Sequence, residues 1–190
     1  MNIEELNALK DRAYKTAVAH GFHEEEKPDA YWLGLVMSEA GEAINADRKG
    51  WLADAVLFND DLAKMPFKDS FEAHIKDSVE DEIADIVIRL LDFAGLKGYE
   101  LGYKNNITIT QSDIEFLRLG EGFVADLFYL VGGLIEALED DGLEMYICGL
   151  FSILSGCFEK MTGSNKDLWW FVKQKMRYNE QRPMLNGKKY

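Results

Sequence analysis

The chain has 190 residues, 47% of them hydrophobic and 29% charged, a composition that folds and that a single domain spanning 1–190 can accommodate. Its 21 lysines and arginines against 34 aspartates and glutamates leave a net charge of −13. That balance argues against the whole chain wrapping polymeric nucleic acid or lying on anionic lipid, while leaving room for a small anionic ligand met by a metal or a local basic cluster.

Two cysteines, Cys148 and Cys157, are too few for a disulfide scaffold and read as thiols in a reducing compartment. The start, Met1-Asn2-Ile3-Glu4-Glu5, lacks the basic and apolar regions of a signal peptide, and no apolar run reaches membrane-spanning length. A cytoplasmic location is the expectation. The three prolines, Pro28, Pro66 and Pro183, fall between segments of helical period, which predicts an all-α helical bundle.

In chain order, the periodicity predicts a helix over Ile3–His20, a loop through Pro28, and a second helix over Asp29–Arg48 stopped by Lys49-Gly50. Residues 51–77 read as a long inserted connection with room for a short helical piece. A third helix follows over Ser78–Lys97, closed by Gly98. Alternation around residues 106–110 is the one strand-like feature. Ser112 begins a helix that breaks at Gly120-Glu121-Gly122, and two apolar helices span Phe123–Glu139 and Leu143–Met161. The turn at 162–165 leads to a last helix over Lys166–Asn179, and residues 180–190 form an extended basic tail.

The second helix carries its apolar stripe on Leu33, Val36, Met37, Ala40 and Ile44. Glu39 and Glu42, three residues apart, share another stripe with Leu35 and Ala46, beside Trp32. Two carboxylates among apolar neighbours repel each other and resist burial, and a divalent cation removes both costs. The third helix repeats the device: Glu82 and Asp85 sit at the edge of a face made by Ile83, Ile86, Val87, Leu90 and Ala94, with Arg89 and Asp92 farther along. If the two helices pack antiparallel, the four carboxylates converge, and an all-oxygen set suits Mg²⁺ or Mn²⁺ rather than zinc. For each pair alone, a solvated helix edge is the rival reading. A di-iron bundle is excluded by ligands, because none of His20, His23 and His74 stands three residues after a glutamate.

Ser38-Glu39-Ala40-Gly41-Glu42-Ala43 with Arg48-Lys49-Gly50, followed by Glu80-Asp81-Glu82-Ile83-Ala84-Asp85-Ile86-Val87-Ile88-Arg89, resembles the Glu-x-x-Glu…Glu-x-x-Asp signature of the MazG-like family. That family belongs to the all-α nucleoside triphosphate pyrophosphohydrolases, with the dimeric dUTPases, dCTPases and phosphoribosyl-ATP pyrophosphohydrolases. The segment Lys175 to Pro183, ending in Gly187-Lys188-Lys189-Tyr190, resembles the Lys-x-x-x-Asn-x-x-Arg…Gly-Lys-x-Tyr end of several relatives. The resemblance implies Mg²⁺-dependent cleavage of a nucleoside triphosphate to the monophosphate and pyrophosphate. Glu39, Glu42, Glu82 and Asp85 match its metal positions, and Lys175, Asn179 and Arg182 match phosphate or sugar contacts. It also implies a homodimer or homotetramer. The gap from Glu42 to Glu82 is longer than in compact members, so the insertion could lie over the base pocket.

Glu39 or Glu42 is the expected water-activating carboxylate. Trp32, Trp51, Tyr31 and Tyr178 are candidates for base stacking, with core packing as the rival for each, and Trp32 and Tyr178 are carried forward as substrate-binding residues. His23, in a polar run, reads as a surface residue. A base-specific dUTPase or dCTPase, and a helical binding module without hydrolytic activity, are the alternative functions.

Overall fold

The computed structural model describes residues 1–102, 122–139 and 142–183. Among these there are eight helices and no strand: α1 Ile3–Ala19, α2 Asp29–Lys49, α3 Ala55–Asp61, α4 Phe67–His74, α5 Val79–Lys97, α6 Phe123–Glu139, α7 Leu143–Thr162 and α8 Leu168–Asn179. The all-α expectation holds. The strand-like residues 106–110, the helix predicted from Ser112 and the tail beyond Pro183 lie outside the described residues. No helix of the described residues is long and apolar enough to cross a membrane.

Local chemistry sets the helix ends. Asn2 and Glu5 form a reciprocal capping box on α1, and Ser78 caps α5 by accepting from the backbone N–H of Asp81 at 3.2 Å. The stop read at Lys49-Gly50 is a left-handed Gly50 at φ 67°, and Gly98 ends α5 in the same way at φ 69°.

Helix α5 is the axis of the bundle. Ile83, Ile86, Val87, Leu90 and Ala94 are all buried, and α1, α2 and α8 pack around them. Against α1 the approach is close: a Cβ added to Gly95 would lie 2.5 Å from Cβ of Tyr14. Helices α2 and α5 run antiparallel, because Asp29 at the start of α2 pairs with Lys97 at the end of α5 while Trp51 just after α2 meets Val79. On α2, Leu33, Val36 and Ala40 are buried as predicted, but Met37 is exposed.

Residues 51–77 are more ordered than a connection. They fold into α3 and α4, with Asp54 capping α3 through the N–H groups of Val56 and Leu57 and Pro66 opening α4. Phe58, Phe67 and Phe71 pack edge to edge or tilted within this lobe. The lobe rests on α8 through Phe58 against Trp170 and Phe71 stacked on Tyr178. Its two ends are tied together, with Val79 N–H donating to the carbonyl of Trp51 and Asp54 N–H to that of His74.

Candidate metal centre

Antiparallel packing of α2 on α5 brings Glu39 and Glu42 over the first turn of α5, which carries Glu80, Asp81 and Glu82. One carboxylate oxygen from each of Glu39, Glu42 and Glu82 lies within 4.8 Å of the others. Three of the four predicted ligands are therefore assembled. The positive end of the α5 dipole offsets part of this negative charge.

The three carboxylates differ in surroundings. Glu42 is exposed. Glu39 is buried, and its Oε1 accepts from both Nε and Nη2 of Arg89, at 3.0 and 2.9 Å. Burial and the nearby Asp85 raise its pKa, with Arg89 opposing. Glu82 is 4% exposed, and its carboxylate accepts no hydrogen bond among the described residues. Burial first, then Asp85, with Lys175 opposing, pushes Glu82 up to about 8.

Asp85, the fourth predicted ligand, stands outside that triad. Its Oδ2 receives Lys175 Nζ at 2.8 Å, and the same ammonium donates to Oδ2 of Asp81 at 2.6 Å. Lys175 is buried; burial alone would lower its pKa, but Asp81 and Asp85 outweigh it and raise it. The structure thus places Lys175, matched above to a phosphate contact, in an ion pair with the acid cluster. The signal was present in the helix register: Leu168, Phe171, Val172 and Met176 form the buried face of α8, and Lys175 falls in the middle of it.

Asp81 was not among the predicted site residues. It is fully buried, takes Lys175 Nζ and the backbone N–H of Asp77 on Oδ2, and leaves Oδ1 without a partner among the described residues. Burial, opposed by Lys175 and reinforced by Asp85, pushes it up to about 6. Asp77, Asp81 and Glu82 form a second set of three carboxylates with oxygens within 4.8 Å, sharing Glu82 with the first. Glu80 is structural: its Oε2 accepts from Ala53 N–H at 2.9 Å, which pins the inserted lobe to α5.

The remaining predicted residues are dispersed. Trp32 is buried with its ring 4.6 Å from that of His23 and 5.2 Å from that of Tyr31, and its Nε1 has no partner among the described residues. Tyr178 is buried, stacked on Phe71 at 4.5 Å, and donates its hydroxyl to Glu72 at 2.7 Å. Burial and that bond push it up to about 12. Asn179 keeps a buried Oδ1 without a partner among the described residues, and the Arg182 guanidinium lies 6.0 Å from the centre of the Tyr178 ring. His23 is not a surface side chain. Its ring is 7% exposed, lies between Tyr14 and Trp32, and bonds through Nε2 to Oδ1 of Asp92 at 2.8 Å. The polar run after it hid this, because the aromatic neighbours come from α1 and α2.

Oxygen donors alone, one each from Glu39, Glu42 and Glu82, fit a hard divalent cation. No family model, curated protein or solved structure matches the chain.

Proposed function

We propose that the chain is a divalent-cation-dependent hydrolase that converts a nucleoside triphosphate to the monophosphate and pyrophosphate. The observation that carries this reading is Glu82, a buried residue whose carboxylate has no hydrogen bond among the described residues, facing Glu39 and Glu42 across two antiparallel helices. Glu39, Glu42 and Glu82 would hold the ion, joined by Asp85 through the oxygen that Lys175 leaves unbonded. Mg²⁺, with Mn²⁺ as substitute, would supply charge neutralisation on the phosphate oxygens.

The chain's own residues supply the rest. Arg89 engages Oε1 of Glu39 with two hydrogen bonds and holds that carboxylate in place. Glu42, exposed beside it, is then the carboxylate placed to orient a water and take its proton. The water oxygen bonds to phosphorus at the α–β anhydride, that P–O bond breaks, and pyrophosphate leaves. Lys175 pairs with both Asp81 and Asp85 and holds them in place. Asn179 and Arg182, at the end of α8, are the groups proposed to meet sugar and phosphate, while Trp32 and Tyr178, packed against His23 and Phe71, serve the core rather than the substrate. The motif resemblance supports the same reaction. Val124, Phe128 and Ile135, exposed along one face of α6, support assembly into a homo-oligomer, which light scattering would read.

The test is a panel of ribo- and deoxyribonucleoside triphosphates with Mg²⁺, assayed separately for pyrophosphate and orthophosphate. Pyrophosphate release that needs the cation is expected, and confinement to dUTP or dCTP would make the chain base-specific. Orthophosphate with a diphosphate product refutes the reaction class. Bound cation with no turnover of any nucleotide favours the non-hydrolytic binding module.

A further inference from the structure

A second group on α5 acts on the carboxylates. Arg89 stands four residues after Asp85 and seven after Glu82, so it shares their face of the helix. Its Nε and Nη2 both donate to one atom, Oε1 of Glu39. A carboxylate oxygen offers two lone pairs, and here both are engaged. Oε2 of Glu39 accepts no hydrogen bond among the described residues. Both donors of the guanidinium converge on that one oxygen, and at 8% exposure Glu39 has little room to turn. Glu39 can therefore present a single oxygen.

Hard cations differ in what they accept. Ca²⁺ takes about six to eight oxygens at roughly 2.3–2.6 Å and often binds a carboxylate through both of its oxygens. Mg²⁺ demands near-ideal octahedral geometry at about 2.0–2.1 Å, which one oxygen per carboxylate satisfies. We infer that Arg89 sets the ion selectivity of this centre: by occupying Oε1 of Glu39 it limits that ligand to one oxygen and so favours Mg²⁺ and Mn²⁺ over Ca²⁺. The inference rests on the proposed metal centre, and Arg89 acts in it as a positioning residue.

A purely electrostatic role makes a different prediction. If Arg89 only offsets negative charge, its removal strengthens every divalent ion alike and leaves their ratio unchanged. If it withholds an oxygen, its removal gives Glu39 a second oxygen, which Ca²⁺ can use and Mg²⁺ cannot. The ratio of the two affinities separates the cases and requires no turnover.

The experiment uses the full chain without nucleotide. Free Mn²⁺ is followed by electron paramagnetic resonance while Mg²⁺ or Ca²⁺ competes, for the wild type, Arg89→Met and Arg89→Lys, with circular dichroism to verify the fold. The wild type should prefer Mg²⁺ to Ca²⁺. In Arg89→Met the ratio should move toward Ca²⁺ by about tenfold, the effect of one additional ligand oxygen. Arg89→Lys keeps the charge but not the fork, so its ratio should shift in the same direction by a smaller amount. Should Arg89→Met fail to fold, Arg89→Lys and the wild-type preference decide the matter. Both affinities moving together at constant ratio, or a wild type that prefers Ca²⁺, overturns this inference alone. A wild type that binds none of the three ions overturns the metal centre and this inference with it.

Discussion

Glu82 makes the proposed centre measurable without any substrate. Its carboxyl is pushed up to about 8 from the ordinary 4.5, by burial first and then by Asp85. At pH 7 such a group is about 90% protonated, and at pH 9 about 10%. A cation can be ligated only by the deprotonated form, so binding must expel the difference: about 0.9 proton at pH 7 and about 0.1 at pH 9. The same linkage tightens apparent affinity about tenfold between those two pH values. Isothermal calorimetry of Mn²⁺ binding in buffers of different ionisation enthalpy reads the proton count directly. Glu82→Gln keeps the shape and removes both the charge and the proton. In that variant proton release should vanish, and affinity should fall at least about tenfold, the scale of one charge-assisted contact. The metal-free stability should change in the opposite direction. The folded wild type binds more protons than the unfolded chain between about pH 4.5 and 8, so its stability falls as pH rises through that window. The full shift caps the loss near 5 kcal/mol, and solvent at the exposed Glu42 side trims it to about 2–3 kcal/mol. Glu82→Gln should recover that amount at pH 8 or above in urea unfolding. Release of less than about 0.2 proton at pH 7, together with an affinity flat from pH 7 to 9, would refute the assignment of Glu82 as a ligand.

Two further outcomes follow from the packing. Lys175→Met leaves Asp81 and Asp85 without their shared cation, and removal of one partner from a buried ion pair costs about 3–5 kcal/mol; urea unfolding at pH 7 checks this, and a loss under about 1 kcal/mol would mean the ammonium is not confined there. Gly95→Ala forces a methyl against Cβ of Tyr14 and should destabilise by about 1–3 kcal/mol, with Gly95→Ala/Tyr14→Ala recovering part of the loss in a double-mutant cycle.

Much of the architecture was legible in local chemistry. The boundaries of α2, α5, α6 and α7 follow from apolar period and from capping residues such as Ser78, Gly50 and Gly98, because these signals act within a turn or two of chain. The spacing of Glu39 with Glu42, and of Glu82 with Asp85, placed each pair on one face for the same reason. What lay beyond reach was every relation between elements. Residues 51–77 read as a connection because α3 and α4 are too short to display a period, and they become a lobe only when Phe58 and Phe71 find Trp170 and Tyr178 on α8. His23 read as exposed because its partners, Tyr14, Trp32 and Asp92, lie on other elements, α1, α2 and α5. Lys175 and Arg89 carry charges whose sign is plain in the sequence, but which carboxylate each one meets depends on how α8 and α2 cross α5. Spacing along one helix can say that two acids point the same way. Whether they are exposed to water, paired with a cation or buried without a partner is decided by desolvation and by charges brought in from other helices, and these exist only once the chain has packed.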